Sequence, residues 1–251
     1  MSGHSKWSKV KRIKGAIDVK RGALFSKLAR EITIAAKTGG GDPSANARLR
    51  SAILSARAQS MPNDNIERAI KRGTGEGVDA QHFDEMIYEG YAPGGVAVIV
   101  EVATDNKNRT AAGIRSIFTR NNGNLASSGS VSYMFHKKGR ITVPRGSIEE
   151  DRLFEVALEA GAEELTTEEE QYVITTSHDQ LYAVAEALKN AGVTTDGQKF
   201  TFIPDTTVPV HDEAVALQIL RLCDSLEEDD DVQNVYSNLD IADELLAKLP
   251  V

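Results

Sequence analysis

The apolar residues of this chain change their period at Phe83, and that change limits the architecture more than any other feature of the sequence. Before it they recur at the spacing of one helix face; after it they alternate, as in a half-buried strand. A helical N-terminal part followed by sheet-bearing parts is therefore expected, and 251 residues suffice for two or three domains of common size.

In the helical part, Ile17, Leu24, Leu28, Ile32 and Ala35 share one face of a helix predicted over 17–37, with Gly39 as its stop. Asp42 and Pro43 read as the cap and first residue of a second helix running to about Gln59, packed through Leu49, Ala52, Ile53 and Ala56. A short third helix follows Met61-Pro62-Asn63 and turns Ile66, Ala69 and Ile70 inward. The run from Gly73 to Gly77 reads as a linker, because it lacks the preceding strand and the Lys-Ser/Thr of a phosphate-binding loop.

Beyond Phe83, strands are predicted over 86–91 and 96–103 around the turn Pro93-Gly94-Gly95, then a helix over 109–121. Strands over 131–135 and 140–143 flank a turn at 136–139, and 172–176 and 199–203 are strands, with a weaker one at 163–166. Ser147 with Glu150, and Ser177 with Gln180, have capping-box spacing and open helices running to Gly161 and over 181–190. From Arg140 to Asp205 the order is βαββαβ, the ferredoxin-like arrangement. Residues 206–210, a helix over 212–226 and a strand over 232–237 read as a βαβ unit without its partner half, and the unit at 83–130 also lacks a half. The expected fold class is α+β: an N-terminal helical domain followed by two α/β (ferredoxin-like) domains, one inserted in the other. The boundaries are 1–80 for the helical domain with its arm, 81–130 plus 206–251 for a discontinuous domain, and 131–205 for the insertion. Two domains in simple succession after the helical one is the alternative arrangement.

Charge is divided as sharply as periodicity. Residues 1–75 hold sixteen Lys and Arg against five Asp and Glu, a local charge of +11, which leaves −19 for the rest of a chain whose total is −8. Such a split marks a module that meets a polyanion, a solvated basic face without a partner being the plainer reading. The arm carries Lys6, Trp7, Lys9, Lys11, Arg12 and Lys14; Trp7 either stacks on a base or anchors the arm to the protein. Lys20, Lys27, Arg30 and Lys37 form a positive stripe on the first helix, beside Arg21, which falls on the apolar arc and either pairs there or faces a partner. Arg50 and Arg57 on the second helix, and Arg68, Lys71 and Arg72 on the third, extend the candidate surface.

Chemistry is sparse elsewhere. His4, His82, His136, His178 and His211 lie far apart without partners at metal-ligand spacing, so neither metal nor cofactor is implied. His178-Asp179 and His211-Asp212 fall where helices begin and read as caps rather than as a hydrolytic pair. No nucleophile elbow or dinucleotide fingerprint stands in a strand-to-helix setting, and no small-molecule substrate is indicated. Lone Cys223 sits in an apolar run and reads as a buried hydrophobe. The acidic groups at 163–170 and 227–231 read as solvated loops, or as faces that repel nucleic acid or dock a basic protein. Lys138 to Val143 carries no ring to stack a base, which argues against an RNA-recognition sheet. A content of 41% hydrophobic and 26% charged residues excludes a mainly disordered chain. With no long apolar run and no signal-peptide core, a cytoplasmic protein without membrane contact is expected.

The stretches GHSKW at 3–7, KRGALFSKLAREI at 20–32, GGGDPSANARLRSAI at 39–53, MPNDNIERAIKRGTGE at 61–76, YEGYAPGGVAVIVE at 88–101 and TDNKNRT at 104–110 closely resemble the YebC/PmpR family. Ala92 and Ala126 stand where that family often has glycine. The resemblance implies a cytoplasmic, non-enzymatic, three-domain α/β protein that acts on gene expression. It implies a transcriptional regulator binding DNA or, alternatively, a ribosome-associated translational activator binding ribosomal RNA. Phosphate contacts by Lys and Arg do not distinguish these polyanions.

Overall fold

A computed structural model describes residues 21–76 and 82–249. Three helices come first: α1 (Arg21–Gly39), α2 (Ala47–Ala58) and α3 (Asn63–Thr74). Two compact units follow from the chain's contacts. One comprises Gln81–His136 and Ile203–Val251 together with the start of α1 up to Lys27; the other comprises Leu28–Ala80 and Lys137–Phe202. The molecule is mixed α and β, with helices first and two four-stranded sheets after them, as its fold class predicts.

In the first unit, β1 (Asp84–Tyr91) and β2 (Ala97–Thr104) form an antiparallel hairpin, and α4 (Lys107–Arg120) and the short β3 (Asn124–Leu125) follow. The chain then builds the other sheet and returns as β8 (Val208–Val210), α7 (Glu213–Glu227), β9 (Val232–Ser237), β10 (Leu239–Ile241) and α8 (Asp243–Leu246). β9 pairs antiparallel with β2, from Val98 opposite Ser237 to Val102 opposite Val232, completing the order β3-β1-β2-β9. Helices α4 and α7 cover one face, burying Ile114, Phe118, Ile219 and Leu222 against Val98, Val100 and Val102. Gly90 is required there, since a Cβ would lie 2.7 Å from the Asn124 carbonyl and against the Phe118 ring.

Two motifs lock this unit. In the TDNKNRT stretch, Asn106 caps α4 by accepting the Arg109 amide (3.1 Å), and Thr104 Oγ1 accepts the Asn106 amide (2.9 Å). Arg109 and the Thr110 hydroxyl then donate to the carboxylate of Asp231, at 2.8 and 2.6 Å. Asp231 is 5% exposed, so the pair ties the loop before β9 to the end of β2. In the YEGYAPGG stretch, Glu89 is 4% exposed, and its carboxylate accepts the amides of Gly129 (2.7 Å), Val131 (2.7 Å) and Ser132 (2.8 Å). Burial by itself pushes the Glu89 carboxyl up; the three amides outweigh it and hold the group below its ordinary range.

The second unit contains β4 (Phe135–Pro144) from Lys137 onward, α5 (Glu150–Glu159), β5 (Glu164–Thr167), β6 (Gln171–Ser177), α6 (Leu181–Asn190) and β7 (Gly197–Pro204). The sheet order β5-β6-β4-β7 is that of a ferredoxin-like βαββαβ unit. Its helices bury Leu153, Val156, Leu181, Val184 and Leu188 against Ile141, Val143 and Ile174. Tyr182 meets Phe200 edge to face at 5.7 Å, so Phe200 serves the core.

Several local expectations are corrected. Of the strand expected over 131–135 only Phe135 is extended, as the first residue of β4: the Val131 and Ser132 amides are taken by Glu89, and Ser132–Met134 is a 3₁₀ turn. No turn interrupts 136–139, because β4 runs unbroken and pairs Gly139 with Thr176. Gly139 serves close packing instead; a Cβ would overlap Thr176 Oγ1 and stand 2.8 Å from Leu181 Cβ. Neither capping box forms. Ser147 donates to the Pro144 carbonyl (2.7 Å) and Glu150 accepts from Thr167 (2.7 Å), while a 3₁₀ turn over His178–Gln180 separates Ser177 from α6. Asp212 does cap α7, accepting the Val215 amide at 2.9 Å. The βαβ unit predicted to join 206–210 with 232–237 is also wrong: β8 pairs in parallel with β10, and β9 belongs to the larger sheet.

Two outcomes follow. Replacing Glu89 by Gln sets an NH₂ against a backbone amide and is expected to cost about 1–3 kcal/mol at pH 7. Because the carboxyl pKa is depressed in the folded state, its contribution is present above about pH 4.3 and is lost as pH falls through the folded value. The urea-unfolding difference between Glu89→Gln and the unaltered protein therefore narrows from pH 7 toward pH 3, and a constant gap would contradict this account. Gly139→Ala is expected to lower unfolding free energy by about 1–3 kcal/mol through overpacking, with an unchanged denaturant slope.

Candidate nucleic-acid interface

The basic residues of the helical segment are positioned by the contact between α1 and α3. Thr33 Oγ1 donates to the Ala69 carbonyl (3.1 Å), and four residues on, Gly73 lies against Thr33 and the backbone of Lys37. A side chain at Gly73 would stand 2.8 Å from Ala36 Cβ, so this glycine permits the close approach. Successive contacts rise together along both helices, which makes them parallel and brings Lys37, Lys71 and Arg72 to the same end. There the cations face the carbonyl ends of the two helices, a favourable placement.

Two boundaries differ from expectation and set this geometry. Asp42 accepts the amide and hydroxyl of Ser44, each at 2.8 Å, and so closes a turn rather than opening α2. The Ser44 hydroxyl and amide hold the Asp42 carboxyl below its usual range. Asn46 is the cap: its Oδ1 accepts the Leu49 amide (3.0 Å), and its Nδ2 donates to the Ala35 and Gly40 carbonyls (both 2.8 Å). Gly73 and Thr74 are helical rather than linker, and Gly75 ends α3 in the left-handed conformation with φ 78°.

Lys6, Trp7, Lys9, Lys11, Arg12, Lys14 and Lys20 lie outside the described residues, as do the start predicted at Ile17 and the side chain of Arg21. The remaining predicted residues do not form one stripe. Arg57, Lys71 and Arg72 are exposed and make no ion pair among the described residues; Lys37 is exposed and Arg30 half-buried. Arg68 is exposed but donates to the Asp64 carbonyl (3.2 Å) and to Asn65. Arg50 is turned inward to the Pro43 carbonyl (2.8 Å) and stands 3.6 Å from Glu186. Lys27 donates to the Glu227 carbonyl at the end of α7, which takes it out of the stripe. Asp42, Glu67 and Glu76 share a shallow depression with Lys71, so that flank carries both signs of charge. Arg48, which sequence reasoning did not single out, pairs with Glu31 at 2.8 Å. Leu24, expected inward, is 38% exposed.

The acidic groups are only partly solvated loops. Asp231 is the buried anchor described above, and Asp229 accepts its amide at 2.9 Å. Glu163 pairs with Lys138 (2.7 Å), and Glu168, with a side chain 7% exposed, stands 3.6 Å from Arg140 and accepts from Gln171 (2.8 Å). Hairpin and loop geometry, invisible in composition, brings these partners together. Cys223 is fully buried, and burial pushes its thiol well above the usual value. Among the described residues no group of three or more His, Cys, Asp or Glu could hold a metal ion, and no helix is long and apolar enough to cross a membrane.

Comparison with known proteins agrees with this layout. Residues 5–76 match the TACO1/YebC protein N-terminal domain, and residues 83–239 match the TACO1/YebC second and third domain. A protein of Desulfotalea psychrophila named probable transcriptional regulatory protein DP2908 is 54% identical over 99% of both chains. A probable transcriptional regulatory protein of Rubrobacter xylanophilus is 52% identical over 99% of both. The crystal structure of a conserved hypothetical protein, Aq1575 from Aquifex aeolicus, superposes with a TM-score of 0.83 at 47% identity, covering 91% of this chain and 93% of that one. With family matches across both parts of the sequence and relatives alike over nearly their whole length, the chain belongs to the TACO1/YebC family.

Proposed function

We propose that the protein is a non-enzymatic regulator of gene expression that binds DNA through its basic N-terminal segment. The observation that carries this reading is the charge division: +11 within the first 75 residues of a chain whose remainder bears −19. Polyanion contact then falls to the N-terminal segment, and the rest of the chain, acidic overall, is expected to be repelled. The relatives' names as probable transcriptional regulatory proteins support DNA as the partner. The division into 1–80, 81–130 with 206–251, and 131–205 belongs to the same proposal, as does a cytoplasmic location.

Within the segment, the exposed Arg57, Lys71, Arg72 and Lys37, together with arm residues Lys6, Lys9, Lys11, Arg12 and Lys14, are assigned to phosphate contact. Lys20, Arg21, Arg30, Arg68 and Trp7 complete the proposed surface. Arg50 and Lys27 act instead in holding the fold, because their donors are already engaged. Phosphate contacts position a protein without reading sequence, so affinity more than base preference is the property expected of this surface.

The experiment is a salt titration of binding to duplex DNA. Replacing Lys6, Lys9, Lys11, Arg12 and Lys14 together by Ala is expected to flatten the slope of log affinity against log salt by up to about four units. Replacing Lys37, Lys71 and Arg72 by Gln is expected to flatten it by up to about three. Arg50→Ala is expected to lower thermal stability and leave the slope unchanged. Slopes unaffected by both multiple substitutions would reject the N-terminal segment as the contact. Salt-sensitive cosedimentation with a ribosomal subunit, without affinity for duplex DNA at about 150 mM salt, would replace DNA by ribosomal RNA.

A further inference from the structure

More than the whole net charge of the chain lies in one short segment. Residues 149–170 hold ten Asp and Glu against a single Arg, a charge of −9 within a chain whose total is −8, so everything else together stands at +1. The segment belongs to the second unit and comprises α5, the turn after it, β5 and the loop that follows. Part of this charge is engaged within the fold: Glu163 and Glu168 meet Lys138 and Arg140 as described, Glu150 accepts from Thr167, and Glu155 pairs with Arg152 at 3.1 Å. Asp151 and Glu159 on α5 are exposed and make no ion pair or side-chain hydrogen bond among the described residues.

The helix that carries these two carboxylates also exposes apolar surface. Leu153, Val156 and Ala157 are buried against the sheet. Phe154 and Leu158, four positions apart and therefore neighbours on the helix surface, are 50% and 59% exposed. Among the described large apolar side chains only Tyr133 is more exposed. At about 100° per residue, the arc facing away from the core carries Phe154, Leu158, Asp151, Glu155 and Glu159 in that order, so the apolar pair runs beside a row of carboxylates.

Helix stability accounts for only part of this face. Glu150 and Asp151 occupy the first turn, where a carboxylate interacts well with the helix dipole. Glu159 is in the last turn, where the same charge is unfavourable and no basic residue offsets it. A single exposed apolar side chain is ordinary, whereas two adjacent ones rimmed by charge on one helix form a contact surface. None of this depends on how α5 stands to other parts of the chain, because all five side chains are placed by one helix.

We propose that the outer face of α5 docks a basic amphipathic helix of another protein, whose apolar residues cover Phe154 and Leu158 and whose Lys or Arg side chains meet Asp151 and Glu159. Charge selects this occupant. A nucleic acid is repelled by the segment, and a second copy presenting the same face would set −9 against −9. Geometry favours a helix: Asp151 and Glu159 are eight residues apart, about 12 Å along the axis, so a partner lying along α5 matches them with cations seven or eight residues apart. The contact goes beyond nucleic-acid binding and does not rest on it, since it uses a different part of the sequence with the opposite sign of charge.

The test titrates the protein into a fluorescein-labelled peptide of about 18 residues, with Leu three and four positions apart on one helical face and Lys on the other. The comparison peptide has the same composition in an order without helical period. The unaltered protein is expected to prefer the amphipathic peptide about tenfold or more in anisotropy. Phe154→Ser with Leu158→Ser is expected to weaken that binding about tenfold and to keep the far-ultraviolet circular dichroism, since at least half of each side chain is already in solvent. Asp151→Asn with Glu159→Gln is expected to reduce the dependence of affinity on salt. The Lys37, Lys71 and Arg72 variant is expected to bind the peptide as the unaltered protein does. Equal affinity for the two peptides, or affinity unchanged in both double variants, would overturn the proposal. So would concentration-dependent sedimentation of the protein alone that Leu158→Ser abolishes, because the face would then belong to a second copy.

Discussion

The first sheet depends on a buried carboxylate. Its strands come from parts of the chain separated by the whole second sheet, and β9 must find β2 after that excursion. Asp231, at the entrance to β9, is held by Arg109 and by the hydroxyls of Thr104 and Thr110, all from the segment that ends β2 and begins α4. Its backbone carbonyl also accepts the Ala103 amide at 2.9 Å. A charge buried in this way is tolerated only when its bonds are satisfied, so the correct return of the chain is favoured over returns that leave it unpaired. The apolar contacts among α4, α7 and β2 supply most of the burial, and the polar node fixes which residues meet.

Glu89 has a related role on a local scale. Three amides converge on one carboxylate, replacing a strand by a 3₁₀ turn and giving the loop before β4 a defined shape. In both cases an acidic residue from an acid-rich sequence serves as an internal bond acceptor rather than as surface charge. Glu163 and Glu168 extend the pattern in the second sheet, where Lys138 and Arg140 meet them. Counting carboxylates therefore overstates the negative surface, and counting cations likewise overstates the positive one, as Arg50 and Lys27 show.

Much of the architecture was legible in the sequence. The shift from helical to alternating spacing located the helical segment, and the order βαββαβ identified the ferredoxin-like sheet, because burial periodicity follows directly from helix and strand geometry. The errors fell where a side chain satisfied a distant or competing partner. Ser147 has capping spacing but donates to the Pro144 carbonyl, Ser177 is separated from its helix by a 3₁₀ turn, Asp42 closes its own turn, and Gly139 marks a close approach rather than a bend. Residues 131–134 are apolar enough for a strand, yet the Val131 and Ser132 amides were claimed by Glu89, some forty positions away.

The sequence by itself determined the fold class, the positions of most helices and strands, the family and the division of charge between the first 75 residues and the rest. These are properties of composition and short-range spacing, and they survive without knowledge of contacts. Tertiary structure alone decided that β9 joins β2, that β8 pairs with β10, and which charged side chains face solvent. Pairing across more than a hundred residues, and the competition of one arginine between a carbonyl, a carboxylate and water, depend on distances in space. That is why Arg50 and Arg57, seven residues apart on one helix, have different fates: one is bound within the fold, and the other stands in solvent.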